Sequence, residues 1–160
     1  MKKLIMALMG AASVFAAGGA QAAGSQSGTF NVNITLTPTC TMSSITAVDF
    51  AYTSLQPGIQ NSTAGGFSVT CTNSLPYTFG LQTGSGAATP PGSASITVTD
   101  DAVNLTYQLN APAAGVGSGS AQSLNVAGTM AASQSGTCAA GPTCSNTAAT
   151  NKTQTLIVNY

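Results

Sequence analysis

The chain has 160 residues and almost no charge, with three lysines against three aspartates and no His, Arg, Glu or Trp. So few basic groups cannot neutralise a phosphate backbone or hold an anionic lipid surface, which excludes nucleic-acid binding and polybasic membrane attachment. Surface charge also keeps free monomers soluble, and its scarcity points to a chain built into something larger.

In chain order, the first segment reads as an address. Lys2 and Lys3 precede an apolar stretch from Leu4 to Ala17, and Ala20-Gln21-Ala22 supplies a small-x-small cleavage pattern. Residues 1–22 are therefore expected to be an export signal; the apolar run is too short and too rich in Ala and Gly for a membrane anchor. The exported part then keeps Lys152, Asp49, Asp100 and Asp101 as its only charged side chains.

Residues Thr29 to Leu36 alternate strictly between polar and apolar. In an extended strand Phe30, Val32, Ile34 and Leu36 share one face, and Asn31, Asn33 and Thr35 the other. Such a strand either opens a sandwich or serves another molecule, and the pattern alone does not choose. Pro38 interrupts it before Cys40. Ile45–Tyr52 is the next expected strand, with Val48, Phe50 and Tyr52 on one face, and Gln56-Pro57-Gly58 is a turn. Phe67, Val69 and Cys71 alternate, and so do Tyr77, Phe79 and Leu81 beyond Leu75-Pro76. Gly84–Ser93 is a loop.

Ile96 and Val98 begin a strand ended by Asp100-Asp101, and Val103, Leu105, Tyr107 and Leu109 form another. Ala111–Ser120 reads as a flexible connection, and Leu124 and Val126 as a weaker strand. A small-residue stretch, 131–149, holds the second pair of cysteines. Leu156, Val158 and Tyr160 make a last strand over Thr153–Tyr160. Short alternating runs separated by turn chemistry, with no helical period after the signal, indicate an all-β sandwich.

Export makes the four cysteines candidates for disulfides. Three pairings are possible, and order and loop length favour Cys40–Cys71 with Cys138–Cys144. The first would restrict the unfolded chain by ~3.5 kcal/mol and the second by ~2.4 kcal/mol on the loop-entropy relation. A zinc site is the alternative, but it lacks His and any close C-x-x-C pair. An enzyme is the weakest class, because acid–base and nucleophilic chemistry would have to be built almost without titratable groups. Asp100-Asp101 reads as a turn rather than a calcium site, since no further carboxylate supports it. Tyr52, Tyr77 and Tyr107 fit core packing. No cofactor or metal is expected.

The sequence ends on its last strand, and no seventh strand follows to pair with Thr153–Tyr160. In an immunoglobulin-like sandwich that arrangement leaves an apolar groove and unpaired backbone groups. A spare alternating strand from another copy would satisfy both, and the head-to-tail contact would build an open filament.

Several segments together resemble the spore coat protein U family, which includes the major pilins of archaic chaperone–usher pili. They are G-T-F-N-V-N-I-T-L-T-P-T-C from Gly28 to Cys40, V-D-F-A-Y from Val48 to Tyr52, and V-T-C-T-N-S-L-P-Y-T-F-G-L from Val69 to Leu81. L-T-Y-Q-L from Leu105 to Leu109 and the terminal T-L-I-V-N-Y complete the set. The resemblance implies an incomplete immunoglobulin-like β-sandwich lacking its final strand and completed by a donor strand. It implies a donor segment at 23–37, with Phe30, Val32, Ile34 and Leu36 as its anchors, ahead of a domain at 38–160 whose acceptor strand carries Leu156, Val158 and Tyr160. It also implies the Cys40–Cys71 bridge, a periplasmic chaperone, an outer-membrane usher, and a homo-polymer that passes through the periplasm to the cell surface. The implied role is adhesion or biofilm formation by a pilus, with a spore or cell coat as the alternative. The chain departs from the family's pattern before the last strand, where A-T-N-K-T-Q stands in place of a Gly-x-Tyr-x-Asp-like stretch. The Cys138–Cys144 loop is an addition.

Overall fold

The computed structural model describes residues 24–139 and 141–160. The export signal expected over residues 1–22 lies outside the described residues. The chain divides into a unit ending at Thr35 and a compact unit from Leu36 to Tyr160.

The larger unit is all-β. It begins with two short strands, β1 (Cys40–Met42) and β2 (Val48–Asp49), and two more, β3 (Gln60–Asn61) and β4 (Thr63–Ala64), flank Ser62. Then come β5 (Gly66–Cys71), β6 (Pro76–Thr83), β7 (Ser95–Thr99), β8 (Thr106–Asn110) and β9 (Gly115–Val116). β10 (Gln122–Asn125), β11 (Ala127–Met130) and β12 (Gln154–Asn159) complete the set, with one 3-10 turn at Asn146–Ala148.

All ladders are antiparallel, and they form four small sheets linked by one isolated bridge and by the chain itself. β12 pairs with β6 from Gln154 opposite Thr83 to Asn159 opposite Thr78. The other edge of β6 meets β9 at Pro76 and Tyr77 and Ser93 at Leu81, and Ser93 leads into β7. β7 pairs with β8, and β8 with β11. β11 continues β10 across Val126, β10 pairs with β5, and β5 with β1. β2 pairs with β4 alongside. β11 also pairs with β3, and among the described residues β12 and β2 each stand at the end of their sheet with one edge unpaired. This is the all-β, immunoglobulin-like sandwich expected from the alternation.

The core is built from in-phase side chains: Phe67, Val69 and Cys71 of β5, Tyr77, Phe79 and Leu81 of β6, Ile96 and Val98 of β7, Leu109, Val126 and Leu156. Phe79 meets Phe67 and Tyr77 edge-on, with ring centroids 5.6 and 5.4 Å apart. Each such buried side chain contributes about 1.5–3 kcal/mol relative to exposure. Cys40 stands directly opposite Cys71 in the β1–β5 register, and the two are bonded. Cys138 and Cys144 form the second disulfide.

The structure corrects several sequence expectations. Of the two readings of Thr29–Leu36, the strand that opens its own sandwich is not formed: residues 24–39 contain no strand. The strand expected over Ile45–Tyr52 shrinks to the two residues of β2. The flexible connection expected at 111–120 contains β9, paired with the start of β6. Tyr160 falls beyond β12 and is 60 % exposed.

Candidate assembly groove

Between the two free edges the sandwich opens into a cavity of about 1090 Å³. Its floor is made of core side chains, among them Leu81, Leu109, Val126, Met130 and Leu156. One rim is the stretch Ile45–Ser54 and the other is Gln154–Leu156, the first half of β12. Residues 135–138 and 142–146, around the second disulfide, also line it.

Sequence places the two rims differently. β12 is a regular edge strand: one edge bonds to β6, and among the described residues no strand pairs with the other. In an antiparallel strand every second residue then directs its N–H and C=O outward. The Ile45–Ser54 rim is held mainly at its ends. Thr46 donates its N–H to the Gly66 carbonyl at 3.0 Å, and Gly65 donates to the Ala47 carbonyl at 2.9 Å. At the far end the Tyr52 hydroxyl donates to the Ala131 carbonyl and accepts from the Gln134 N–H, both at 2.9 Å. Phe50 reaches Tyr107 of β8, ring centroids 5.8 Å apart, so the rim stands on an aromatic contact.

Polar and apolar groups share the lining, and the charged ones are Asp49, Asp100 and Lys152. The Tyr107 hydroxyl accepts from Gln154 Nε2 at 3.0 Å. Desolvation raises the Tyr107 pKa above its ordinary value, the Gln154 bond opposes this, and the nearby Asp100 adds to it. Asp100 is 3 % exposed although it bears a carboxylate. Lys152 donates to the Thr147 carbonyl at 2.8 Å.

The residues singled out from sequence fall in contrasting places. Phe30, Val32, Ile34 and Leu36 are 84 %, 70 %, 87 % and 75 % exposed. Leu156 is buried and lines the cavity, and Val158 packs half-buried against the core. Tyr160 stands outside both. Sequence reading missed Ile157, which is buried opposite Gly80 on the reverse face of β12. It also missed that the 45–54 stretch and the small disulfide loop are walls of the same cavity, because neither has an alternating pattern that points to its partner. Asp100 stands at the turn expected of it, and it is also buried, two residues beyond Val98 and in phase with the buried face of β7.

No curated protein and no solved structure matches the chain closely enough for comparison. The family description "Spore Coat Protein U domain" matches residues 26–158, from the alternating N-terminal segment to the end of β12. The chain therefore belongs to the Spore Coat Protein U domain family, a family of structural surface subunits rather than of enzymes.

Proposed function

We propose that the protein is the repeating subunit of a surface fibre of the archaic chaperone–usher type, joined by strand exchange. Residues 23–37 act as the donor segment and 38–160 as the domain that receives it. Phe30, Val32, Ile34 and Leu36 of one copy enter the groove of the next and add a strand to the free edge of β12. The observation that carries this is the pairing of two incomplete surfaces in one sequence. Four large apolar side chains in strict alternation stand exposed, and a groove floored by the core lies between two unpaired sheet edges. Each is unfavourable in water, and an extended alternating strand is the kind of element that an unpaired sheet edge beside an apolar floor receives.

Before assembly the same groove needs a temporary strand, the role of a periplasmic chaperone, and an outer-membrane usher would exchange that strand for the next subunit's segment. Adhesion and biofilm formation are the expected uses of such a fibre. The family's own description favours a second proposal, a spore or cell-coat protein assembled by the same exchange. Chaperone and usher genes beside this one would favour the fibre.

The experiment is Ile34→Asp in the full exported chain. Burying one carboxylate in the groove is strongly unfavourable, so fibres seen by electron microscopy should disappear. Urea unfolding of the full exported chain at concentrations where it is monomeric should stay within about 0.5 kcal/mol of the parent, because Ile34 is exposed and lies outside the compact unit. Fibres that persist in Ile34→Asp would sink the proposal.

A further inference from the structure

Asp100 follows β7 in phase with Ile96 and Val98, and all three are buried. One of its carboxylate oxygens has a clear task. Oδ1 accepts from the backbone N–H groups of Ala102 and Val103, both at 2.9 Å, and so shapes the turn into β8. Oδ2 is buried without a hydrogen-bond partner among the described residues, and Asp100 lines the groove. The turn needs only one side-chain acceptor. Asn or Ser would build it equally well, without burying an unpaired charged oxygen. Such an oxygen is strongly unfavourable until a donor reaches it.

Resting on the strand-exchange reading above, we propose that Asp100 Oδ2, sealed from solvent in the free subunit, is uncovered as the incoming segment of a second copy packs into the groove and then accepts a hydrogen bond from one of its neutral donors. The segment has suitable chemistry. From Thr29 to Thr39 it offers hydroxyls, amides and backbone N–H groups, and it carries no charged side chain.

A register device is also needed there. Sliding the segment by two residues keeps three of the four apolar side chains in the groove, so a misregistered segment still gains most of the apolar packing. One buried acceptor that meets a donor in a single register does discriminate, as a lone polar residue does in a coiled coil. A cation is the competing ligand for the carboxylate. Its neighbour Asp101 is already bound by the Thr150 N–H and hydroxyl. Among the described residues no group of three or more His, Cys, Asp or Glu side chains stands ready for a metal. Both facts favour the neutral donor.

The test uses the full exported chain carrying Ile34→Asp, so that its own segment cannot compete, and a fluorescent peptide of residues 28–39. Asp100→Asn keeps an oxygen for the turn and puts an NH2 group where Oδ2 stood. Asp100→Ser keeps the turn acceptor and removes the second oxygen. Without peptide, both variants should melt at or above the temperature of their parent. With peptide, both should bind about tenfold more weakly or worse, because a buried donor–acceptor pair is lost. Isotope-labelled peptide should give one set of resonances on the parent and more than one on Asp100→Asn. Equal or tighter binding to Asp100→Asn would overturn the proposal. So would calcium or magnesium raising the melting temperature of the parent but not of Asp100→Asn, which would mark a cation site. A peptide that fails to bind the parent at all would instead remove the strand-exchange reading on which the proposal stands.

Discussion

Asp101 and Gly80 show how single positions hold the groove's surroundings in place. The Asp101 carboxylate accepts from the Thr150 N–H at 2.9 Å and from the Thr150 hydroxyl, tying the β7–β8 turn to the chain that leads into β12. Asn151 Nδ2 adds a bond to the Thr99 carbonyl at 2.7 Å. The Thr150 side-chain bond, opposed by desolvation, lowers the Asp101 pKa below its ordinary value. A carboxylate depressed in the fold contributes stability that is complete above the unfolded pKa, about 4, and is lost as pH falls through the folded value. Asp101→Asn should therefore lower the melting temperature at pH 7 and have a smaller effect near pH 2. An equal loss at both would contradict this. At Gly80 a Cβ would overlap the Pro91 carbonyl oxygen, and Gly92 Cα lies within 2.9 Å of the same point. Loop 90–92 can cross β6 only because this residue has no side chain. Gly80→Ala should destabilise by about 1–3 kcal/mol in urea unfolding; a loss under 0.5 kcal/mol would show that the loop yields easily.

Individual strands were legible where burial on one face imposes a period of two. Phe67-Val69-Cys71, Tyr77-Phe79-Leu81 and Ile96-Val98 became the buried faces of β5, β6 and β7. The two-residue strands β3, β4 and β9 were not legible, because a partner chosen by the tertiary fold defines them and no local pattern does. β12 shows both sides of this. Its alternation pointed to Leu156 and Val158, while the burial of Ile157 on the opposite face depends on Gly80 and the loop that crosses it. Residues 29–36 have the clearest strand pattern in the chain and no ladder. In a sequence otherwise consistent with its fold, that mismatch between local pattern and structure is what motivates the proposal that the segment serves another surface. The groove itself could be inferred only as a missing neighbour of the last strand; its second rim and its buried carboxylate needed coordinates.

At the level of the whole molecule, β12 and β2 each end a sheet among the described residues, and residues of both strands line the cavity. One added strand beside β12 would cover the floor residues and use the outward backbone groups of that edge. Four apolar anchors buried at about 1.5–3 kcal/mol each are ample to make such a contact long-lived. The decisive measurement compares thermal unfolding and mass in solution for two exported proteins. One has the native order, and the other carries residues 23–38 behind Tyr160 on a short flexible linker. Completion by the segment predicts a monomer in the rearranged protein that melts about 15–20 °C or more above the native order. Equal melting temperatures, with the native order already a stable monomer, would contradict a sandwich that is completed by its neighbour.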